Sequence, residues 1–105
     1  MMSELRIENG ELKMNTENPI VSKSYAFAVK LVKSIRELKQ SGYERELISQ
    51  LLRSGTSVGA NVVEAQDAQS RKDFISKMNI ALKEAREMNY WLHILKDAEN
   101  NPPDV

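Results

Sequence analysis

The sequence predicts an all-α fold: an antiparallel up-and-down bundle of three long helices, completed by oligomerisation. Three observations predict it. Apolar residues recur at three- and four-residue spacing in three separate stretches. The three prolines, Gly10 and Gly42 stand at the edges of those stretches. No stretch alternates apolar with polar residues as a half-buried strand does. At 105 residues the chain has room for one domain and one core. The expected organisation is a polar, flexible leader over residues 1–18, a helical domain over 19–98 and a tail over 99–105.

The first helix is expected from about Ser22 to Gln40, after Pro19, with Ser22 or Ser24 as N-cap. Val21, Tyr25, Ala28, Val29, Val32 and Ile35 follow helical spacing, and Phe27, Leu31 and Leu38 widen the arc to about 200°. That is wider than one neighbouring helix covers. Ser41-Gly42 ends the helix, with Gly42 suited to the left-handed position beyond a C-cap.

The second helix runs from about Glu44 to Ala68. Leu47, Leu51, Val58, Val62 and Ala65 form its seam, widened by Ile48, Leu52 and Val63. Ser54-Gly55-Thr56-Ser57-Val58-Gly59-Ala60 interrupts the large side chains. A glycine inside a helix costs about 1 kcal/mol, so two at four-residue spacing need a physical reason. Close approach of another helix at Gly55, Gly59, Ala60 and Asn61 is one, and a kink near Gly55 is the other. The Asn61 amide either bonds across to another helix or stands exposed. A phosphate-binding loop is excluded, because no strand precedes the glycines and no Gly-Lys-Ser/Thr follows.

The third helix runs from about Arg71 to Ala98. Ser70 is its N-cap and Asp73 completes an approximate capping box. Phe74, Met78, Ala81, Leu82, Ala85, Met88, Leu92 and Leu95 make a seam. Ile80, Trp91 and Ile94 fall on another arc and are the candidate oligomer interface.

Little in the chain suggests catalysis. His93 is the only histidine, placed on the flank of the third seam, and no metal-ligand spacing accompanies it. Glu64 with Asp67, and Glu84 with Glu87, are carboxylate pairs three apart; the absence of Glu-x-x-His partners makes solvated faces the better reading. Lys83 and Arg86 beside the second pair suggest a mixed-charge face. No cysteine is present, so disulfides and thiolate metal sites are excluded. No cofactor and no metal are expected. No stretch reads as a signal peptide or approaches a bilayer span, so the cytoplasm is the expected location.

The 15 basic and 15 acidic residues cancel, so the whole-chain field does not draw the protein to nucleic acid. Locally the charges separate. Ser22–Gln40 carries a net of +4 through Lys23, Lys30, Lys33, Arg36 and Lys39 against Glu37. With Arg53 and Arg71 these are the candidate contacts to a phosphate backbone. They serve equally as solubilising cover over a wide apolar arc.

Several stretches resemble a known family. They are Ser24-Tyr25-Ala26-Phe27-Ala28, the block from Gln50-Leu51-Leu52-Arg53 through Val63-Glu64-Ala65, Asp73-Phe74-Ile75-Ser76-Lys77, Ile80-Ala81-Leu82-Lys83-Glu84-Ala85 and Tyr90-Trp91-Leu92. Together they resemble the four-helix-bundle proteins encoded by intervening sequences of bacterial 23S ribosomal RNA genes, over roughly residues 19–98. The resemblance implies a homo-oligomer, a barrel-like pentamer, with no known enzymatic activity. A related branch, the accessory protein of diversity-generating retroelements, binds reverse transcriptase and nucleic acid through a basic surface. The family usually has a fourth helix after the Tyr-Trp-Leu segment, so a shortened member or a truncation is expected here, and unlike the strongly basic nucleic-acid-binding branch this chain is neutral. The expected function is therefore a non-enzymatic oligomeric scaffold or adaptor, with a nucleic-acid-binding accessory as the alternative and RNA, DNA or protein as partner.

Overall fold

In a computed structural model, residues 5–8 and 11–14 are described at the backbone and residues 18–99 in full, with Asn100 closing the last helix. Two short strands, β1 (Leu5–Glu8) and β2 (Glu11–Met14), precede α1 (Pro19–Gln40), α2 (Arg45–Gln66) and α3 (Arg71–Asn100). From residue 18 to residue 100 the described chain is helical apart from its turns.

The strands pair antiparallel, Leu5 with Met14, Arg6 with Lys13, Ile7 with Leu12 and Glu8 with Glu11. The sequence reading did not anticipate them. Its signal was there: Leu5-Arg6-Ile7-Glu8 and Glu11-Leu12-Lys13-Met14 alternate, and Asn9-Gly10 lies between them, a dipeptide that favours hairpin connections. Four-residue runs are too short to stand out against a polar background. The expected tail beyond residue 100 lies outside the described residues.

Local chemistry sets the helix ends. Asn18, not Ser22 or Ser24, caps α1: its side-chain oxygen accepts from the Ile20 amide at 3.1 Å. Pro19 then fills the first turn, where its missing N–H costs nothing. Gly42 closes the helix with φ of +82°, the conformation its position predicts. Ser70 caps α3 by accepting from the Asp73 amide at 3.0 Å, while the Asp73 carboxylate accepts from the Gln69 amide at 3.3 Å.

Side-chain pairs fix the directions. Asn18 donates to Gln66 at 2.9 Å, and Leu31 reaches Gly55, so α1 runs against α2. Lys77 meets Glu64 at 3.3 Å, and Tyr43 donates to Glu99 at 3.1 Å, so α3 runs against α2 as well. Both outer helices pack on α2 and have little backbone contact with each other. Leu31, Ile35, Ile48, Leu51 and Leu95 form the buried cluster, with Met88 and Trp91 against it.

α2 is one uninterrupted helix through its glycines, and the two glycines do different things. A Cβ at Gly55 would collide with the tip of the Leu31 side chain and stand 3.1 Å from the Met88 sulfur. At Gly59 a Cβ would meet the Ser24 carbonyl oxygen at 3.5 Å, an ordinary contact. Ser54 next door is fully buried, and its hydroxyl is satisfied inside the helix by the Gln50 carbonyl at 2.8 Å. Ala60 and Asn61, expected in the same contact, are not in it. Ala60 is exposed, and the Asn61 amide donates to the Ser57 carbonyl of its own helix at 2.8 Å.

The glycines therefore separate under substitution. Gly55→Ala overfills the site between Leu31 and Met88 and should destabilise the fold by about 1–3 kcal/mol. Gly59→Ala has room, and its lower unfolded-state entropy should leave stability unchanged or raise it by up to about 1 kcal/mol. Denaturant unfolding of the two variants checks this, and the reverse order would contradict the assignment.

Candidate functional site

The α2–α3 seam carries the most organised polar chemistry in the described chain. Arg53 projects from the middle of α2, where its Nε donates to Gln50 at 3.0 Å. Its Nη1 reaches Glu84 at 3.1 Å and its Nη2 pairs with Glu87. Glu87 also accepts from the Trp91 indole N–H at 3.3 Å. One guanidinium thus holds two carboxylates one helical turn apart, which suits its forked donors. The Glu84 side chain is only 15% exposed, so this pair lies in the helix interface and is not the solvated face expected from sequence. The pair at Glu64 and Asp67 is also engaged, Glu64 with Lys77.

The titration of the network follows its geometry. The hydrogen bond from Arg53 holds the Glu87 carboxyl below its ordinary range; partial burial opposes this and Trp91 assists it. The hydrogen bond to Glu87, in turn, raises Arg53 above its ordinary value. At the open end of the same interface, the hydrogen bond to Glu99 raises Tyr43.

The same rotation of α3 decides where the expected interface residues lie. Trp91 is half-buried against the core cluster with its ring edge-on to Tyr90, centroids 5.2 Å apart, so it belongs to the monomer's own packing. Ile94 is likewise half-buried. Ile80 remains exposed, as expected. Phe74, Leu82 and Leu92, expected in the buried seam, are instead exposed, together with Ile75 and Tyr90. Only Ala81 and Leu95 of α3 are fully buried apolar residues. On α1, Tyr25 and Val29 of the expected seam are exposed, as are Ile20 and Phe27.

The candidate phosphate contacts divide. Lys23, Lys30, Lys33, Arg36, Lys39 and Arg71 are exposed, and none of them forms an ion pair among the described residues. At about 100° per residue, Lys23, Lys30 and Lys33 share one flank of α1, and Arg36 and Lys39 wind onto the other. Arg53 leaves the set, because its guanidinium is committed to Glu84 and Glu87. Lys39 lines a cleft with Tyr43, Arg45, Ile48, Ser49 and Leu52. That cleft adds Arg45, which the sequence reading passed over, and contains no carboxylate or histidine to serve as a general base. His93 is exposed outside the clefts described. Among the described residues, no group of histidines and carboxylates is arranged to hold a metal ion. No helix among them is long and apolar enough to cross a membrane.

A family model described as 23S rRNA-intervening sequence protein matches residues 16–102, nearly the whole helical part. The chain belongs to this family. The chain is also similar to a crystal structure from Bacteroides thetaiotaomicron VPI-5482, that of a protein with unknown function from the S23 ribosomal protein family. The two are 48% identical with a TM-score of 0.72, over 81% of this chain and 79% of the other. No curated protein matches the chain. The family therefore supplies an architecture, and neither it nor the solved relative supplies a catalytic site.

The Arg53 network predicts a pH dependence. A carboxyl whose folded pKa is depressed contributes stability that is present above its unfolded pKa and is lost as pH falls through the folded one. Glu87→Gln should therefore lower stability near neutral pH, and its deficit relative to the parent should shrink below pH 4.5, the unperturbed carboxylate value. Urea unfolding at pH 7 and in acid checks this, and a deficit independent of pH would contradict it.

Proposed function

We propose that this protein is a non-enzymatic homo-oligomeric scaffold or adaptor, whose three antiparallel helices form a bundle completed by other copies of the chain. The observation that carries this reading is the apolar surface left outside. On α3 six large apolar residues, Phe74, Ile75, Ile80, Leu82, Tyr90 and Leu92, are each at least 40% exposed. α1 adds Ile20, Tyr25, Phe27 and Val29. Scattered apolar residues are normal on a surface, but a helix that exposes more large apolar side chains than it buries has an unfilled partner. Family membership supports the reading, and the resemblance behind it implies five subunits.

A nucleic-acid-binding accessory is the second reading. Six exposed cations without carboxylate partners among the described residues favour it: Lys23, Lys30, Lys33, Arg36, Lys39 and Arg71. Burial of apolar faces and display of these cations are compatible, so an assembled ring of copies would concentrate the charge.

Light scattering coupled to size exclusion tests the scaffold reading. A discrete oligomer that persists as salt rises is expected, and the double variant Ile75→Ser, Leu82→Ser should shift it to smaller species with unchanged helix content. A parent chain that elutes as a monomer at all concentrations would overturn it. For the second reading, binding to a labelled RNA should weaken as salt rises. Lys30→Gln with Lys33→Gln should reduce the log–log salt slope by about 0.7 per lost single-strand phosphate contact. Equal slopes in parent and variant would remove those lysines from the interface.

A further inference from the structure

The cleft at the turn between α1 and α2 is lined in a way that packing of the three helices does not require. Arg45, Ile48, Ser49 and Leu52 lie on one face of α2, within about 100° of one another, and Lys39 and Tyr43 reach the same space from the end of α1 and the turn. Ile48 is buried, and Leu52 and Tyr43 are half-buried, so the lining has an apolar part. Lys39 and Arg45 are exposed cations with no ion pair among the described residues. Glu44 and Glu46 adjoin Arg45 in sequence, but neither lines the cleft. The Tyr43 hydroxyl is committed to Glu99, which leaves the ring to the cleft. Farther along α2, the Ser54 and Thr56 hydroxyls turn back to backbone carbonyls at 2.8 Å each. Ser49 makes no such bond among the described residues. The cleft holds about 390 Å³, within the span of about 300–1,000 Å³ usual for small-molecule sites.

Two cations without a facing carboxylate select an anion. A guanidinium beside an ammonium suits the several oxygens of a phosphate. A bare phosphate would leave Leu52 and the Tyr43 ring uncovered, so the ligand also has an apolar or planar body. An alkyl body would cover them but leave the Ser49 hydroxyl unused. A nucleoside has a flat ring for Leu52 and Tyr43, and ring-edge and sugar polar atoms for Ser49. We propose that this cleft binds a nucleoside monophosphate, with its phosphate at Lys39 and Arg45 and its base against Tyr43 and Leu52. The same group comes either as a free nucleotide or as the 5′-phosphorylated end of a strand. The cleft stands apart from the exposed apolar residues of α1 and α3, and the proposal does not rest on the scaffold reading.

An NMR titration of the full-length, isotope-labelled chain with AMP tests it, because the amide shifts report both affinity and place. The shifts should concentrate between residues 39 and 52. AMP should bind at least about tenfold tighter than adenosine or inorganic phosphate, each of which offers only part of the contacts. Lys39→Gln with Arg45→Gln, both at exposed positions, should weaken AMP by at least about tenfold, whereas Lys30→Gln with Lys33→Gln should leave it unchanged. Tyr43→Phe keeps the ring and should bind as the parent does. Circular dichroism on each variant verifies that the helices are intact.

A dinucleotide with a 5′-phosphate that binds as AMP does, beside a 5′-hydroxyl dinucleotide that does not, would support the cleft and assign it to strand ends. Binding of AMP without either dinucleotide would support it and assign it to the free nucleotide. Failure of AMP to bind more tightly than roughly 1 mM, or equal affinity for AMP and inorganic phosphate, would overturn the proposal. So would AMP binding that depends on Lys30 and Lys33 and not on Lys39 and Arg45. An oligomer indifferent to AMP removes the cleft alone, and a monomer that binds AMP removes the scaffold alone.

Discussion

At Gly55 the space of a missing Cβ is taken by two neighbours at once: the tip of Leu31 from α1 and the Met88 sulfur from α3. Any side chain there would push one of them away. This close approach makes α2 the helix on which the other two are built. Its intrinsic cost, about 1 kcal/mol for a glycine in a helix interior, is offset by the contacts that Leu31, Met88 and the adjoining cluster of Ile35, Ile48, Leu51 and Leu95 make. Four residues on, Gly59 faces the α1 backbone at Ser24 with room for a Cβ. Gly55 thus sets how near Leu31 of α1 can come, and the Asn18–Gln66 bond joins the two helices at the far end.

α3 is positioned by a second constraint of a different kind. Arg53 draws Glu84 and Glu87 toward α2, and Glu87 takes the Trp91 N–H. A mostly solvated ion pair contributes little by itself. A three-centre arrangement across two helices does fix rotation. Turning α3 so that these carboxylates meet Arg53 brings Trp91 onto the core and carries Leu82 and Ile75 outward. The rotation of α3 that lets these carboxylates meet Arg53 is the one that leaves Leu82 and Ile75 exposed.

The sequence was legible where local chemistry decides the outcome. Gly42 and the Ser70–Asp73 pair marked helix limits closely, because capping and left-handed φ depend on neighbours in the chain, whereas the start of α1 was set at Ser22, three residues past Pro19. Gly55 was legible as a close approach, one of the two causes its spacing offered, and α2 runs through it without a break. What could not be read was the rotation of each helix. Spacing gives the width of an apolar arc, about 200° on α1, without saying which part of it faces the neighbour. Trp91 was thus taken for an interface residue, and Leu82 and Leu92 for core. Arg53 was grouped with the surface lysines because its partners lie 31 and 34 residues away, beyond any local pattern. The strands were missed because each is four residues long.

On the proposed reading, three helices packed around Gly55 make a fold whose burial other copies of the chain finish. The most direct test is the dependence of chemical unfolding on protein concentration. Anything that binds the folded state and not the unfolded one stabilises it by mass action. The account predicts a denaturation midpoint that climbs steadily as the chain is concentrated from the nanomolar to the micromolar range. A midpoint that stays fixed across that range would show that one chain stabilises itself, and would contradict it.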